Sequence, residues 1–233
     1  MKTTTSKIVT LALAATLMAV ANEAKAQSVF PTGVTIYNPV KAYNSYVLHS
    51  SPDEKSHLID MNGNEVKSWN HIGFPSEIID PKNNNGKKGN ILIQLENGLG
   101  VYGGIFNNKV LGELDWNGKT VWEWGKKAPG GAARQNHDLH RLANGNTLLV
   151  GTVDHIVAGV SDKSIDDQTI YEVNPNGDIV WSWNAGDHID EFGISAEGRE
   201  LLRKVYVNGR KGHGFLTIND MQPIGPNKWF RAG

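Results

Sequence analysis

Three segments of the chain share one alternation of apolar and polar positions around an Asn-Gly pair. In each segment an apolar stretch precedes the pair, a valine lies three residues after the glycine, and a tryptophan lies six residues after it. Asn-Gly favours the type I′ turn that joins two antiparallel strands, because that turn needs a positive φ at both central residues. The pattern therefore predicts three β-hairpins, each with a tryptophan near the end of its second strand. The segments are HLIDMNGNEVKSWN (57–70), LGELDWNGKTVWEWG (111–125) and IYEVNPNGDIVWSWN (170–184).

A second motif, Gly-Asn followed by a short apolar run, comes after each of the first two hairpins. It occurs at 89–93 and at 145–150, and such runs are typical of buried strands. A repeat of about 40–60 residues with several strands is typical of a β-propeller blade, where a repeated tryptophan fills the space between neighbouring sheets. A sandwich with coincidental Asn-Gly turns is the alternative. The pattern favours an all-β propeller, with one inserted helix within 191–206 that Ser195 caps.

Residues 1–26 differ in composition from the rest of the chain. Lys2 and Lys7 precede an apolar run over 8–21, and Ala24-Lys25-Ala26 gives a small-x-small cleavage signal. This arrangement is typical of a secretory signal peptide. The apolar run is short for a membrane span, so no membrane partner is predicted. We expect residues 27–233 to form one partial β-propeller domain in a periplasmic or secreted protein.

Charge and cysteine content argue against several classes of function. The chain has no cysteine, which excludes disulfides and thiolate chemistry. Its formal net charge is −1 and no basic run stands out, so nucleic acid is not an expected partner. The histidines show no ligand spacing typical of zinc. We therefore expect neither a metal nor a cofactor.

The ordered motifs together resemble the bacterial arylsulfotransferase family over almost the whole chain after residue 26. The resemblance implies a six-bladed propeller with its active site in the central channel, of which this chain supplies about three blades and part of a fourth. It also implies sulfuryl transfer from a phenolic sulfate ester to a phenol through a sulfated histidine, without a nucleotide donor. The motifs that carry the resemblance are GVTIYNPVKAYNSYVLHSS (33–51), HLIDMNGNEVKSW (57–69), ELDWNGKTVWEW (113–124), NHDLHRLANGNTLLVG (136–151), IYEVNPNGDIVWSWNAGDHIDEFG (170–193) and FLTINDMQPIGPNKWF (215–230).

The chain departs from the family pattern in its length. Family members are longer, and the nucleophilic histidine and a later arginine of the family would lie beyond Gly233. We therefore expect the catalytic site to be incomplete in this chain. A non-catalytic β-propeller binding module, or a truncated remnant, is the alternative function.

The stretch QNHDLHR (135–141) holds the main candidate residues. Histidine can act as a base, an acid or a cation near neutral pH, so His137 and His140 are the candidate catalytic residues. By resemblance, His137 matches a histidine of the sulfate pocket and ranks first. Asp138 is a candidate substrate-binding residue that either orients a histidine or caps a turn. In an extended segment Asp138 and His140 share one face, and both histidines line one pocket only if the strand bulges or has not yet begun.

Other candidates lie beside this stretch and near the end of the chain. Arg134 and Arg141 flank the two histidines, and each is either an anion ligand or a solvated loop residue. Thr217 and Asn219 are candidate substrate-binding residues. By resemblance, a histidine is expected where Thr217 stands, and threonine is a poor nucleophile without an adjacent base.

Overall fold

The computed structural model describes residues 34–96, 108–206, 215–225 and 227, and the signal peptide predicted over 1–26 lies outside these ranges. The chain divides into two compact units, Met1–Tyr43 and Asn44–Gly233. In the described part of the first unit, Asn38 closes a turn. Its carbonyl accepts the backbone N–H groups of Lys41 and Ala42, and its side chain accepts that of Val40.

The described part of the second unit is built mainly from three antiparallel sheets, and each sheet has its strands in chain order. The predicted all-β class is confirmed. The first sheet has three strands and the other two have four. The first holds β1 (Val47–Ser51), β2 (Lys55–Ile59) and β3 (Glu65–Trp69); the second holds β4 (Glu77–Ile78), β5 (Ile91–Glu96), β6 (Val110–Leu114) and β7 (Thr120–Trp124); the third holds β8 (Gln135–Arg141), β9 (Thr147–His155), β10 (Ile165–Val173) and β11 (Ile179–Asn184).

All three predicted hairpins are present, as the pairs β2–β3, β6–β7 and β10–β11. The predicted type I′ turn is wrong. In each turn the glycine has a positive φ, whereas the asparagine before it does not. In the first turn the N–H of Gly63 donates to the carbonyl of Asp60, and the Asp60 side chain accepts the N–H groups of Asn62 and Asn64. This is a type I turn followed by a left-handed glycine, which gives the bulge seen in each register.

Two apolar cores join the three sheets in sequence. The first core joins the first and second sheets, and Trp69 lies in it with 3% of its surface exposed. The second core joins the second and third sheets, and Trp124 lies in it with 2% exposed. The prediction that the repeated tryptophan fills the space between sheets is confirmed for these two residues. Trp183, the third copy, is half-buried and stacks on His188 at 4.8 Å.

The helical part of the chain packs on the third sheet. A 3₁₀ helix over Ala185–Phe192 leads to α1 (Ala196–Tyr206), so the predicted helix within 191–206 is present. The Ser195 hydroxyl accepts the N–H of Gly198, which is the expected cap. Ile189 is buried with residues of the third sheet, and Leu202 and Phe215 pack against the same cluster. The segment 215–225 has neither strand nor helix.

Candidate functional site

Strand β8 carries the predicted site residues and is strongly bulged. Gln135 pairs with Gly151 and Leu139 pairs with Leu149, so three residues, 136–138, lie opposite the single residue Val150. His137 has φ +53°, a left-handed conformation that costs about 1–3 kcal/mol in a residue other than glycine. Bulges of this kind re-aim side chains and are frequent beside functional sites. The bulge that would let both histidines line one pocket is therefore present in β8, but His137 is not among the residues that line the cavity beside it.

A cavity of about 370 Å³ lies beside the bulge. Asp138 and His140 both line it, as expected of two residues on one face of a strand. Residues from β4 and from the segment after Asn219 complete the wall. The lining residues are Glu77, Asp138, Leu139, His140, Asp220, Met221, Gln222 and Pro223.

His140 and Glu77 form a carboxylate–imidazole pair in this cavity. The Nδ1 atom of His140 lies 2.8 Å from Oε2 of Glu77, and the other Glu77 oxygen accepts the backbone N–H of Arg141 at 3.3 Å. The His140 side chain is 37% exposed, so solvent and small molecules reach the ring. A carboxylate on one ring nitrogen fixes the orientation of the imidazole and leaves Nε2 to exchange a proton.

Burial raises the pKa of Glu77 above its ordinary value, and the interaction with His140 opposes this shift. A carboxyl group with a raised pKa carries a proton over a wider pH range than an exposed glutamate does. Such groups are frequent where proton transfer takes place. Glu77 therefore supplies both the orientation of His140 and a second titratable group beside it.

Replacing Glu77 with glutamine is expected to remove a pH-dependent loss of stability. Because the folded-state pKa of Glu77 is raised from its ordinary value of 4.5, its contribution is fully present below that pH and is lost as the pH rises through the folded-state pKa. The Tm difference between variant and wild type should therefore shift in favour of the variant as the pH rises above the ordinary value of 4.5. Thermal unfolding across this range measures it, and a constant difference would contradict the raised pKa.

Asp138 accepts two hydrogen bonds from the backbone. Its Oδ1 accepts the N–H of Leu139 at 2.8 Å, and its Oδ2 accepts the N–H of Met221 at 2.7 Å. Burial raises the pKa of Asp138, and the neighbouring Asp220 raises it further. Of the two predicted roles, the contacts match the local cap rather than the orientation of a histidine. Asp138 also holds the segment after Asn219 against β8.

His137 lies outside the set of residues that line the cavity. Its side chain is half-buried, and its ring centroid is 5.5 Å from that of Phe74. The bulge turns it away from the alternation that Asp138 and His140 follow. The structure thus brings His140 and Asp138 into one cavity and places the higher-ranked His137 beside it.

Thr217 and Asn219 are exposed and do not line the cavity. Between them, the N–H of Ile218 donates to the side-chain oxygen of Gln168 at 3.4 Å. Their neighbours at 220–223 form the cavity wall instead. The predicted segment therefore reaches the site, through residues one to four positions after Asn219.

Both flanking arginines are held in ion pairs outside the cavity, so neither is the solvated loop residue considered above. Arg134 donates to Asp154 at 2.9 Å and to Asp166 at 2.8 Å. Arg141 donates to Glu113 at 2.8 Å, and both of these side chains are 6% exposed. Positive charge near the bulge is thus already matched by carboxylates.

The electrostatic character of the cavity is acidic. Its described lining holds three carboxyl groups, those of Glu77, Asp138 and Asp220, and one imidazole, with no lysine or arginine. A sulfate group carries a fixed negative charge, and ionised carboxylates in the cavity wall repel it unless they are protonated. A phenolic hydroxyl, which donates a hydrogen bond and a proton, suits it better. Among the described residues, no group of three acidic, histidine or cysteine side chains has the arrangement of a metal site.

Sequence reasoning missed Glu77 and Asp220. Glu77 lies 63 residues before His140 in the chain, and nothing in its local sequence marks it as a partner. Asp220 stands directly after the candidate Asn219 within the motif at 215–230, but it was not singled out as a candidate site residue. In the part of the chain that the structure describes, no helix has the length and apolar character needed to cross a membrane.

Comparison with known proteins gives one family. The model of the family described as Arylsulfotransferase (ASST) matches residues 46–195 of the chain, from just before β1 to the residue before α1. This range contains all three sheets, Glu77 and the whole of β8. Comparison with curated proteins found no match.

Proposed function

Because the chain belongs to the arylsulfotransferase family, we propose that it takes part in the transfer of sulfuryl groups from phenolic sulfate esters to phenols. The proposed architecture is a β-propeller in which each of the three sheets is one blade. Strand order along the chain, antiparallel pairing and two successive cores between sheets support this architecture.

The Glu77–His140 pair is the observation that carries the proposal. In the proposed reaction the imidazole nitrogen of a histidine other than His140 attacks the sulfur of the ester. The bond from sulfur to the phenolic oxygen breaks, and the leaving phenolate takes a proton. The acceptor phenol then gives up its proton, and its oxygen takes the sulfuryl group from the imidazole. Nε2 of His140 exchanges these phenolic protons while Glu77 holds Nδ1 at 2.8 Å.

The other candidate residues take different roles in the proposed reaction. His137, outside the carboxyl-lined wall, donates to a sulfate oxygen. Asp138 keeps the segment that holds Asp220 and Met221 against β8 through its bond to the Met221 N–H. Thr217 and Asn219 are exposed and contact substrate only at the rim.

Replacing His140 with alanine is expected to weaken the binding of 4-nitrophenol by about tenfold or more, because the hydrogen bond to the imidazole is lost. Replacing His137 with alanine is expected to weaken the binding of 4-nitrophenyl sulfate and to leave that of 4-nitrophenol unchanged. Isothermal titration calorimetry of both ligands measures these affinities. His49→Ala, an exposed histidine on β1, is the control and should leave both affinities unchanged. Equal affinity of wild type and His140→Ala for both ligands would refute the assigned role of His140.

A non-catalytic binding module is the second candidate function. Two observations favour it. Arg134 and Arg141 are engaged in ion pairs with carboxylates, and the cavity wall is acidic, so neither provides a cation for a sulfate ester. A binding module of this kind should take 4-nitrophenol and exclude 4-nitrophenyl sulfate. Saturable binding of both ligands, with a weaker affinity for 4-nitrophenyl sulfate in His137→Ala, favours the transferase.

We also propose that the protein is exported to the periplasm or secreted, which the composition of residues 1–26 supports. Mass spectrometry of the purified protein should then find Gln27 at its N-terminus. An intact N-terminal leader on the exported protein would contradict cleavage at this position.

A further inference from the structure

Hydrogen bonds from two backbone groups tie residues 218–223, called the wall segment below, to the third sheet in the described part of the chain. The N–H of Met221 donates to Oδ2 of Asp138 at 2.7 Å, and the N–H of Ile218 donates to Oε1 of Gln168 at 3.4 Å. Residues of the wall segment form one side of the cavity. These two bonds therefore fix the position of that side.

Gln168 is joined to the bulge of β8 through Thr152. Gln168 on β10 lies opposite Thr152 on β9, and its Nε2 donates to the Thr152 hydroxyl oxygen at 3.2 Å. The same oxygen accepts Nδ2 of Asn136, a bulge residue, at 3.0 Å, and that nitrogen also donates to the Arg134 carbonyl at 3.3 Å. Gln168 and Asn136 are each 3% exposed, and a buried amide that loses its partner is destabilising. The Thr152 oxygen therefore orients both amides.

Both attachment points of the wall segment thus lead to the bulge of β8. Asp138 is itself a bulge residue, and the shared Thr152 oxygen joins Gln168 to Asn136, two residues before Asp138. Buried hydrogen bonds that share partners strengthen one another. Thr152 and Gln168 do not line the cavity, so they act on a bound molecule only through the position of the wall segment.

We propose that Thr152 and Gln168 are positioning residues of the cavity, which hold the wall segment against β8 in the place that a bound phenol requires. The phenol in this inference rests on the proposed function. The attachment of the wall segment through Thr152 is independent of any ligand, and it is measured without one.

Replacing Thr152 with valine tests the inference, because valine has nearly the shape of threonine and lacks the hydroxyl. The Gln168 amide then loses its acceptor and turns, which weakens its bond to the Ile218 N–H. Asn136 loses one of its bonds at the same time, which loosens the bulge. Hydrogen exchange of the Ile218 and Met221 backbone N–H groups, followed by NMR, is expected to become about threefold faster or more. Thr152→Ser keeps the hydroxyl and is expected to retain the wild-type rates.

Thr169→Val is the matched control for a general loss of stability. Thr169 lies next to Gln168 on β10 and is fully buried, but its hydroxyl donates to the Trp183 carbonyl at 3.1 Å. This variant should lower the Tm and leave the exchange of the two wall-segment N–H groups unchanged. Equal exchange in Thr152→Val and wild type would overturn the inference. Faster exchange in Thr169→Val, or in Thr152→Ser, would overturn it as well.

Titration of 4-nitrophenol separates this inference from the proposed function. Thr152→Val is expected to weaken the binding of 4-nitrophenol by about threefold or more, and Thr169→Val is expected to leave it unchanged. A wild type that does not bind 4-nitrophenol, together with the expected exchange rates, counts against the function and supports the attachment. Faster exchange in Thr152→Val with an unchanged affinity for 4-nitrophenol would show that the position of the wall segment does not control phenol binding.

Discussion

Replacing Arg141 with methionine should lower the free energy of unfolding by about 3–5 kcal/mol. The guanidinium of Arg141 donates to Glu113 at 2.8 Å in an environment where both side chains are 6% exposed. It also donates to the Gly145 carbonyl and lies 5.3 Å from the ring centroid of Trp122. Without Arg141, Glu113 is left as a buried carboxylate whose remaining partners are the Asn84 and Asn90 amides.

Urea unfolding of the wild type, of Arg141→Met and of a double variant checks this expectation. The double variant Arg141→Met with Glu113→Leu removes both charges and is expected to recover most of the lost stability, since a buried ion pair can be replaced by apolar residues at little cost. A loss of less than about 1 kcal/mol in Arg141→Met, the value typical of an exposed pair, would show that the pair is solvated. The Arg141→Met substitution is also relevant to the Glu77–His140 pair, because the backbone N–H of Arg141 donates to Glu77.

Replacing Trp124 with alanine should also lower the free energy of unfolding by about 3–5 kcal/mol. Trp124 is 2% exposed in the core between the second and third sheets, and its ring lies edge-on to Tyr171 at 5.9 Å. The substitution leaves a cavity between two sheets and removes the hydrogen bond to the Gly177 carbonyl. Core tryptophans lose transfer free energy and packing contacts together when they are truncated.

Trp183→Ala is the matched control, because Trp183 holds the same repeat position but is only half-buried. Its loss of stability in urea unfolding should be clearly smaller than that of Trp124→Ala. Equal losses for the two variants would show that burial between sheets does not set the contribution of this tryptophan.

Much of the fold can be predicted from local sequence. The spacing of glycine, valine and tryptophan predicts the three hairpins and the buried Trp69 and Trp124, because strand alternation and turn chemistry are local properties. The turn type could not be predicted from Asn-Gly alone. Asp60 and Asp115 accept backbone N–H groups within their own turns, and this side-chain capping favours a type I turn over the type I′ form.

The candidate site was predictable only in part. Alternation along β8 predicts that Asp138 and His140 share a face, and both line the cavity. The left-handed φ of His137 departs from that alternation, and no residue type in the stretch demands it. Glu77 of the second sheet reaches His140 of the third sheet although the two residues lie 63 positions apart in sequence. A local sequence pattern does not encode such a contact. The ion pair that engages Arg141 is likewise set by the packing of Glu113 from another sheet.

The titration of 4-nitrophenol into wild type and His140→Ala tests the central claim most directly, because the claim places a phenol beside the Glu77–His140 pair. The account predicts saturable binding to the wild type, weakened by about tenfold or more in His140→Ala and unchanged in His49→Ala. Absence of binding to the wild type, or equal affinity in His140→Ala, would contradict a phenol site at this pair.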